Sequence, residues 1–297
     1  MRIKAWIVAL LALACLTAAL AEDDGLVIAW GDEPVDGGVE SGLPEAGGDA
    51  EVESALPEYN QDAQPTEGGE SGDGQGAPVV LELLEHKPLK GVKIGIDPGH
   101  QAHANTDRET VMPGGTETKA KVTGGTSGAA SGIPEYVTNL EIAFKLRDAL
   151  ESQGAEVYMT RETHDVDLSN QERAQMMNDY GVDLVLRIHC DGAENASKHG
   201  VALYCSRSNS IAAESYRAAE AILPRLCEAT GAPGNGIVSN NNYTGQNWST
   251  VPCIMVECGF LSNPDEDRLL NDEDYQWKLA TGLTNGIIDY IQLRDGT

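Results

Sequence analysis

Two histidines and two glutamates carry the chemistry this sequence offers. His100 follows the apolar run at 92–97 (VKIGID) and its Pro98-Gly99 break, His189 follows 183–188 (DLVLRI), and Glu257 closes 252–257 (PCIMVE). Short apolar runs bounded by turn residues read as buried strands. In an open α/β sheet, the carboxyl ends of parallel strands share the edge where ligands bind. Glu135 lies in the first turn of a helix expected from Pro134 to about Gln153, which starts at that same edge. At about 100° per residue, Glu135 falls on the side of Ile142 and Leu146, with Glu141, Lys145 and Asp148 opposite, so it faces inward. Two imidazoles and one carboxylate, with a fourth position left to water, form the ligand set of a catalytic zinc site. Zinc brings the pKa of water at such a site to roughly 7. A second carboxylate nearby can then carry a proton to a leaving amine. No HExxH helix is present.

Each of the four has a plainer role as well. His100 fits a DPGH turn, His189 a hydrogen-bonded core histidine, Glu135 a helix-dipole partner, and Glu257 a structural group at a strand end. Taken together they are harder to assign to chance, since all four fall on one sheet edge. His86, His164 and His199 read as surface positions, and His103 sits in a loop three residues past His100.

The elements that must position these residues alternate. After the strand at 92–97, residues 101–133 are rich in Gly, Thr and Ser and read as one long loop. The helix from Pro134 ends at Gly154, a strand covers 156–160, and Ser169 can cap a helix to about Tyr180. Strands at 183–188 and 201–205, a helix at about 210–230, a strand at 252–257 and helices at 264–271 and 273–293 complete the chain. The fold class is α/β: a single domain with a mostly parallel twisted sheet flanked by helices on both faces.

The 297 residues carry 47 acidic against 20 basic side chains, a formal net charge of −27. That sign argues against nucleic acid and against docking on anionic lipid. Residues 22–78 hold 16 of the acids and no Lys or Arg, are dense in Gly and Pro, and are poor in apolar runs. Such a stretch reads as a disordered, self-repelling linker. Ahead of it, Arg2 and Lys4, the apolar run Ala5 to Leu20 and the Ala19-Leu20-Ala21 site read as a signal peptide at 1–21, with no stable membrane insertion after cleavage. Lipid attachment at Cys15 is a lesser alternative, since Ala12 stands where Leu is expected. The folded domain is then 79–297. Export leaves Cys190, Cys205, Cys227, Cys253 and Cys258, an odd set with no CxxC pair: small buried hydrophobes, with room for one disulfide.

At these same residues the chain resembles the zinc-dependent N-acetylmuramoyl-L-alanine amidases of amidase family 3, bacterial cell-wall hydrolases. The matching stretches are IDPGH at 96–100, PEYVTNLEIAFKLRDALESQGAEVYMTR at 134–161, NQERAQMMN at 170–178, LRIHCDGA at 186–193 and VPCIMVECGFLSNPDED at 251–267. The resemblance covers essentially all of 92–293. It implies one zinc ion held by His100, Glu135 and His189, with Glu257 as the catalytic carboxylate. It implies peptidoglycan as substrate, cut at the amide between muramic acid and L-alanine. Other readings are an inactive wall-binding or regulatory protein of the same fold, or a zinc peptidase or deacetylase acting on another wall amide.

Three departures from the family pattern bear on the site. The segment between His100 and Glu135 is much longer than usual and is expected to form a wall of the substrate groove, with Lys119 and Lys121 on it. Asp191 stands where Asn is commoner, an added carboxylate near the metal. Arg187 replaces a small residue on the strand face of His189, where it can pair with Asp191 or a stem-peptide carboxylate, or form a structural ion pair. Asp97 is placed either to orient His100 from behind or simply to end its strand. Asn247 and Trp248 are placed either to line the groove or to anchor their loop.

Overall fold

The computed structural model describes residues 87–296. The signal peptide, the acidic linker, Cys15, His86 and the first residues of the expected domain lie outside them. Eight strands are described: β1 (Lys93–Pro98), β2 (Asn105–Thr110), β3 (Thr118–Val122), β4 (Glu156–Met159), β5 (Leu184–Asp191), β6 (Val201–Ser206), β7 (Gly234–Asn240) and β8 (Cys253–Phe260). The helices are α1 (Glu135–Ser152), α2 (Asn170–Tyr180), α3 (Ala212–Thr230), α4 (Thr244–Asn247), α5 (Pro264–Leu270) and α6 (Glu273–Asp295).

Six strands form one sheet in the order β4-β1-β5-β8-β6-β7. All neighbours are parallel except β6 and β8, which run antiparallel. Period-2 alternation divides each strand between two cores. Along β5, Leu184, Leu186 and Ile188 enter the larger core with Ile142 and Leu146 of α1, Ile222 of α3 and Leu283 of α6. Val185 points the other way, to Met177 of α2 and Cys253. Helices therefore cover both faces, as the sequence pattern requires. The chain leaves β1 through α1 to β4 on one side, then returns through α2 to β5 on the other. The strand order thus reverses between β1 and β5, the position where open α/β sheets form their ligand crevice.

The local signals explain most element ends. The α2 start carries a capping box: the Ser169 side chain accepts from Glu172 N, and the Glu172 carboxylate accepts from Ser169 N. Gly154, at φ 92, takes the left-handed conformation that stops α1.

Residues 101–133 are not one long loop. Strands β2 and β3 pair antiparallel within them as a separate two-stranded sheet. This hairpin docks on the domain through polar contacts, which a hydrophobic-period reading does not register. Glu109 is buried and accepts from Gln171 N at the start of α2, a favourable place for a carboxylate. Gln171 Nε2 in turn donates to Thr110 O, and Asn170 Nδ2 to Lys121 O. The sequence reading also passed over β7 and α4. The polar run GNGIVSN of β7 lacks alternation, because this edge strand has few buried positions.

Candidate metal centre

The expected residues meet at the switch point. His100 follows β1, Glu135 opens α1, and His189 and Glu257 lie opposite each other in the β5–β8 register. His100 Nε2 is 3.3 Å from Glu135 Oε2, and His189 Nδ1 is 3.2 Å from Glu135 Oε1. One ligand atom from each of the three lies within 4.8 Å of the others. This is the only such group of His, Cys, Asp and Glu among the described residues. His103 and His199 are exposed and His164 is half-buried, apart from the group.

Backbone geometry brings the imidazoles this close. His100 has φ 59, the only non-glycine residue in the left-handed region among those described, a conformation that costs an L-residue about 1–2 kcal/mol. Its Nδ1 lies 2.8 Å from Thr123 O, which suits the tautomer that leaves Nε2 without a proton for a metal. Two glycines make room. A Cβ on Gly99 would sit 2.2 Å from the His189 ring, and one on Gly125 would sit 2.7 Å from Glu135 Oε2. Gly99→Ala is therefore expected to push His189 aside and to weaken any divalent-metal binding by this group at least about 10-fold, the scale at which support of metal ligands matters. A metal titration of the folded variant checks this.

The charges suit a cation. Burial works against the Glu135 carboxylate, but His100 and His189 outweigh it and hold its pKa well below the ordinary value. Burial also works against a charged His100, and Glu135 overcomes this to raise its pKa. Burial pulls His189 down to about 4, so it is neutral and its lone pair is available. Glu257 moves the opposite way: burial first, then the carboxylates of Asp191 and Glu135, push it well above the ordinary range. His189 Nε2 and Glu257 Oε2 are buried with no hydrogen-bond partner among the described residues. Buried polar atoms without partners are costly and call for a ligand or ion. The donor set and these two atoms fit a divalent metal beside a carboxylate that can carry a proton.

Of the remaining expected residues, Asp97, Arg187, Asn247 and Trp248 serve the fold, and Asp191 stays beside the site. The Asp97 side chain does not orient His100: Oδ1 accepts from Arg173 Nη1 at 2.8 Å and Thr160 Oγ1 at 2.6 Å, and Oδ2 from Arg187 Nε at 2.7 Å. Arg187 shares the strand face of His189 but is in a structural ion pair with Asp97, not with Asp191. Asp191 lies near the site, and its Oδ1 accepts from Gly192 N. Asn247 and Trp248 are loop anchors. Asn247 is buried and donates to Val111 O and Asn241 O, and Trp248 Nε1 donates to Thr110 O. Both thereby hold the β2–β3 hairpin. The five cysteines are free, and all but Cys227 are buried.

Sequence reasoning missed several supporting groups. Asn139 donates to Glu135 Oε1 at 3.1 Å and to Gly99 O at 3.3 Å. Its i+4 spacing from Glu135 on the inward face is a signal the wheel contains. Arg161 and Arg173 are buried beneath the His100 turn, where no spacing marks them. Tyr204 stands on the Glu257 side of the sheet, since Ala202 faces Glu257 in the β6–β8 register and Tyr204 lies two residues on.

A parallel-sheet switch point with a buried His-Glu-His group and an adjacent carboxylate defines a metallohydrolase type of site. The profile of the N-acetylmuramoyl-L-alanine amidases matches residues 94–289, and the chain belongs to that family. A germination-specific N-acetylmuramoyl-L-alanine amidase of Bacillus subtilis is 31% identical over 224 residues, 69% of this chain and 81% of the relative. LytC, an N-acetylmuramoyl-L-alanine amidase of the same organism, is 28% identical over 69% of this chain, which spans only 36% of LytC. An N-acetylmuramoyl-L-alanine amidase structure from Clostridium difficile 630 superposes with TM-score 0.57 at 27% identity, covering 68% of this chain and 97% of that one. The Ami1 amidase of Mycobacterium smegmatis shares the fold, with TM-score 0.64 at 23% identity over 69% of this chain and 99% of its own. The chain is thus a peptidoglycan amidase.

Proposed function

We propose that the chain acts as an exported, zinc-dependent hydrolase that cuts the amide between N-acetylmuramic acid and L-alanine. His100, Glu135 and His189 hold one zinc ion and Glu257 is the catalytic acid–base. The observation carrying this reading is the pair of buried, unpartnered atoms, His189 Nε2 and Glu257 Oε2, beside the His-Glu-His group. When bound, zinc supplies a Lewis acid for the scissile carbonyl and makes water acidic enough to react near neutral pH.

The protein's own groups do the rest. Glu257 takes a proton from the attacking water as its oxygen bonds to the lactyl carbonyl carbon. It returns that proton to the alanine nitrogen as the C–N bond breaks. Thr123 and Asn139 hold His100 and Glu135 in place, so little reorganisation accompanies the reaction. The signal peptide at 1–21 takes the chain to the wall, and the acidic stretch 22–78 spaces the domain from its surroundings. No described helix is long and apolar enough to cross a membrane.

Purified wall digested by the chain is expected to release intact stem peptides from intact glycan, identified by mass spectrometry, and a chelator is expected to abolish the reaction. Peptides cut internally, or acetate alone, would point to the peptidase or deacetylase reading. The hairpin adds a substrate contact in this proposal. Just past β3, Thr123 and Thr126 contact His100 and Glu135, so the hairpin borders the metal group. Lys119 Nζ donates to Asn242 O, and Lys121 lies 3.4 Å from Asp107. A Lys119→Ala/Lys121→Ala chain is expected to lose about 10-fold in activity on cross-linked wall, several phosphate-free polar contacts being worth about 1 kcal/mol or more together. Full activity would remove the groove-wall role.

A further inference from the structure

The His100 turn is held from below by two buried guanidinium groups that the chemistry does not use directly. Arg173, on α2, donates from Nη1 to Pro98 O at 2.9 Å and from Nη2 to His100 O at 3.0 Å. Arg161, two residues beyond β4, donates from Nε to Pro98 O at 2.9 Å and from Nη2 to Gly99 O at 3.0 Å. The same Arg161 Nη2 also donates to Tyr136 O at 2.8 Å, in the first turn of α1. Three successive carbonyls, those of Pro98, Gly99 and His100, are therefore satisfied by arginine rather than by sheet or helix.

Arg161 differs from Arg173 in one respect. Arg173 pairs with Asp97, whereas Arg161 forms no ion pair among the described residues. Its bonds go to backbone carbonyls, including Thr163 O through Nη1. A charged group 3 % exposed, with carbonyls for partners, is an expensive way to fill space. What it gains is a bridge. Gly99 directly precedes His100 and Tyr136 directly follows Glu135, so each accepting residue is the chain neighbour of a proposed ligand. One rigid nitrogen fork thus ties the turn of one ligand to the helix start of the other.

We propose that Arg161, supported by Arg173, is a positioning residue that fixes the left-handed His100 turn against the first turn of α1 and so presets the spacing of His100 and Glu135 for a divalent metal. The inference rests on the reading of those two residues as ligands. The planar five-donor guanidinium is essential to the role, because a lysine ammonium is a point charge that cannot span the three carbonyls in the same geometry. Arg187 provides the internal control. It is buried against the same Asp97 and donates to Asn170 Oδ1, but it touches no carbonyl of the turn.

The test uses the full chain with zinc as the probe, competed against a chromogenic chelator, and cobalt substitution to report ligand geometry by its visible spectrum. Metal-free thermal melting is measured alongside. Arg161→Lys is expected to raise the zinc dissociation constant about 10–100-fold and alter the cobalt spectrum. Arg187→Lys is expected to lower the melting temperature while leaving zinc affinity within about 3-fold, well below that range. Unchanged zinc affinity in Arg161→Lys overturns the proposal. So does an equal loss in Arg187→Lys, which would mark general destabilisation. If Arg161→Lys does not fold, Arg173→Lys is measured instead, with the same loss of zinc affinity expected and the same result overturning the role of the clamp. A parent chain that binds zinc no better than a His189→Ala chain would refute the metal site itself, a result distinct from failure of the clamp.

Discussion

On the proposed mechanism, a Glu257→Gln chain is expected to keep its zinc and to lose wall hydrolysis by about 10²–10⁴-fold in kcat, the usual contribution of a placed acid–base group. The substitution keeps the size of the side chain and removes its ability to take a proton. The proposed ligands His100, Glu135 and His189 form a separate group, so metal content is expected to stay at the parent level. Metal analysis and single-turnover digestion of wall check both halves. Retained activity would dismiss Glu257 as the proton carrier, and lost zinc would make it a ligand.

The same variant has a stability signature in the metal-free chain. The folded pKa of Glu257 is raised, by burial and by Asp191 and Glu135. Its contribution to stability is therefore fully present below the ordinary carboxyl pKa and is lost as pH rises toward the folded value. Glu257→Gln removes that loss. The metal-free variant is thus expected to gain stability relative to the parent as pH rises from about 4 to 7, because only the parent carries a carboxyl whose ionisation the fold opposes. Thermal melts in chelator at the two pH values test the sign.

Asp97→Ala is expected to be the most damaging single change to the fold near the site. Asp97 is 2% exposed and holds two buried arginines at once. Removing it leaves Arg173 and Arg187 without a counter-charge, a change that costs about 3–5 kcal/mol. For a domain of this size, that is a fall in melting temperature of about 10 °C or more. Burial opposes the Asp97 carboxylate, but Arg173 and Arg187 outweigh it and hold the pKa below the ordinary value. Its stabilisation is then present above the unfolded pKa and is lost only as pH falls through the lower folded value. The difference between parent and variant should be the same at pH 7 and pH 5. A difference that shrinks by pH 5 would mean that Asp97 is not held ionised by the arginines.

The large elements were legible because burial writes itself into period and punctuation. The run VKIGID, the Ser169–Glu172 capping box and the inward stripe of α1 each state a local preference that tertiary packing here agrees with. The β2–β3 hairpin was not legible, since its strands (NTDRET and TKAKV) fully bury only one residue each and carry no apolar alternation. Glu109, Gln171, Asn247 and Trp248 hold it instead, through contacts between residues tens of positions apart. The fate of Arg187 was undecidable for the same reason. A buried guanidinium on the ligand's strand face suits Asp191, a substrate or Asp97 equally until distance chooses.

The sequence by itself determined the kind of sheet, the edge at which His100, Glu135, His189 and Glu257 would gather, and the family whose motifs they carry. Strand ends, helix starts and residue types are local properties, and the crossover rule of parallel sheets converts them into a shared location. The tertiary structure alone decided which polar groups serve the site and which serve the fold. It turned Asp97, Arg187, Asn247 and Trp248 into supports, and it placed Arg161 and Arg173 under the His100 turn. Buried polar groups are assigned by mutual satisfaction over a few ångströms, and that pairing depends on distances between segments that no local pattern encodes.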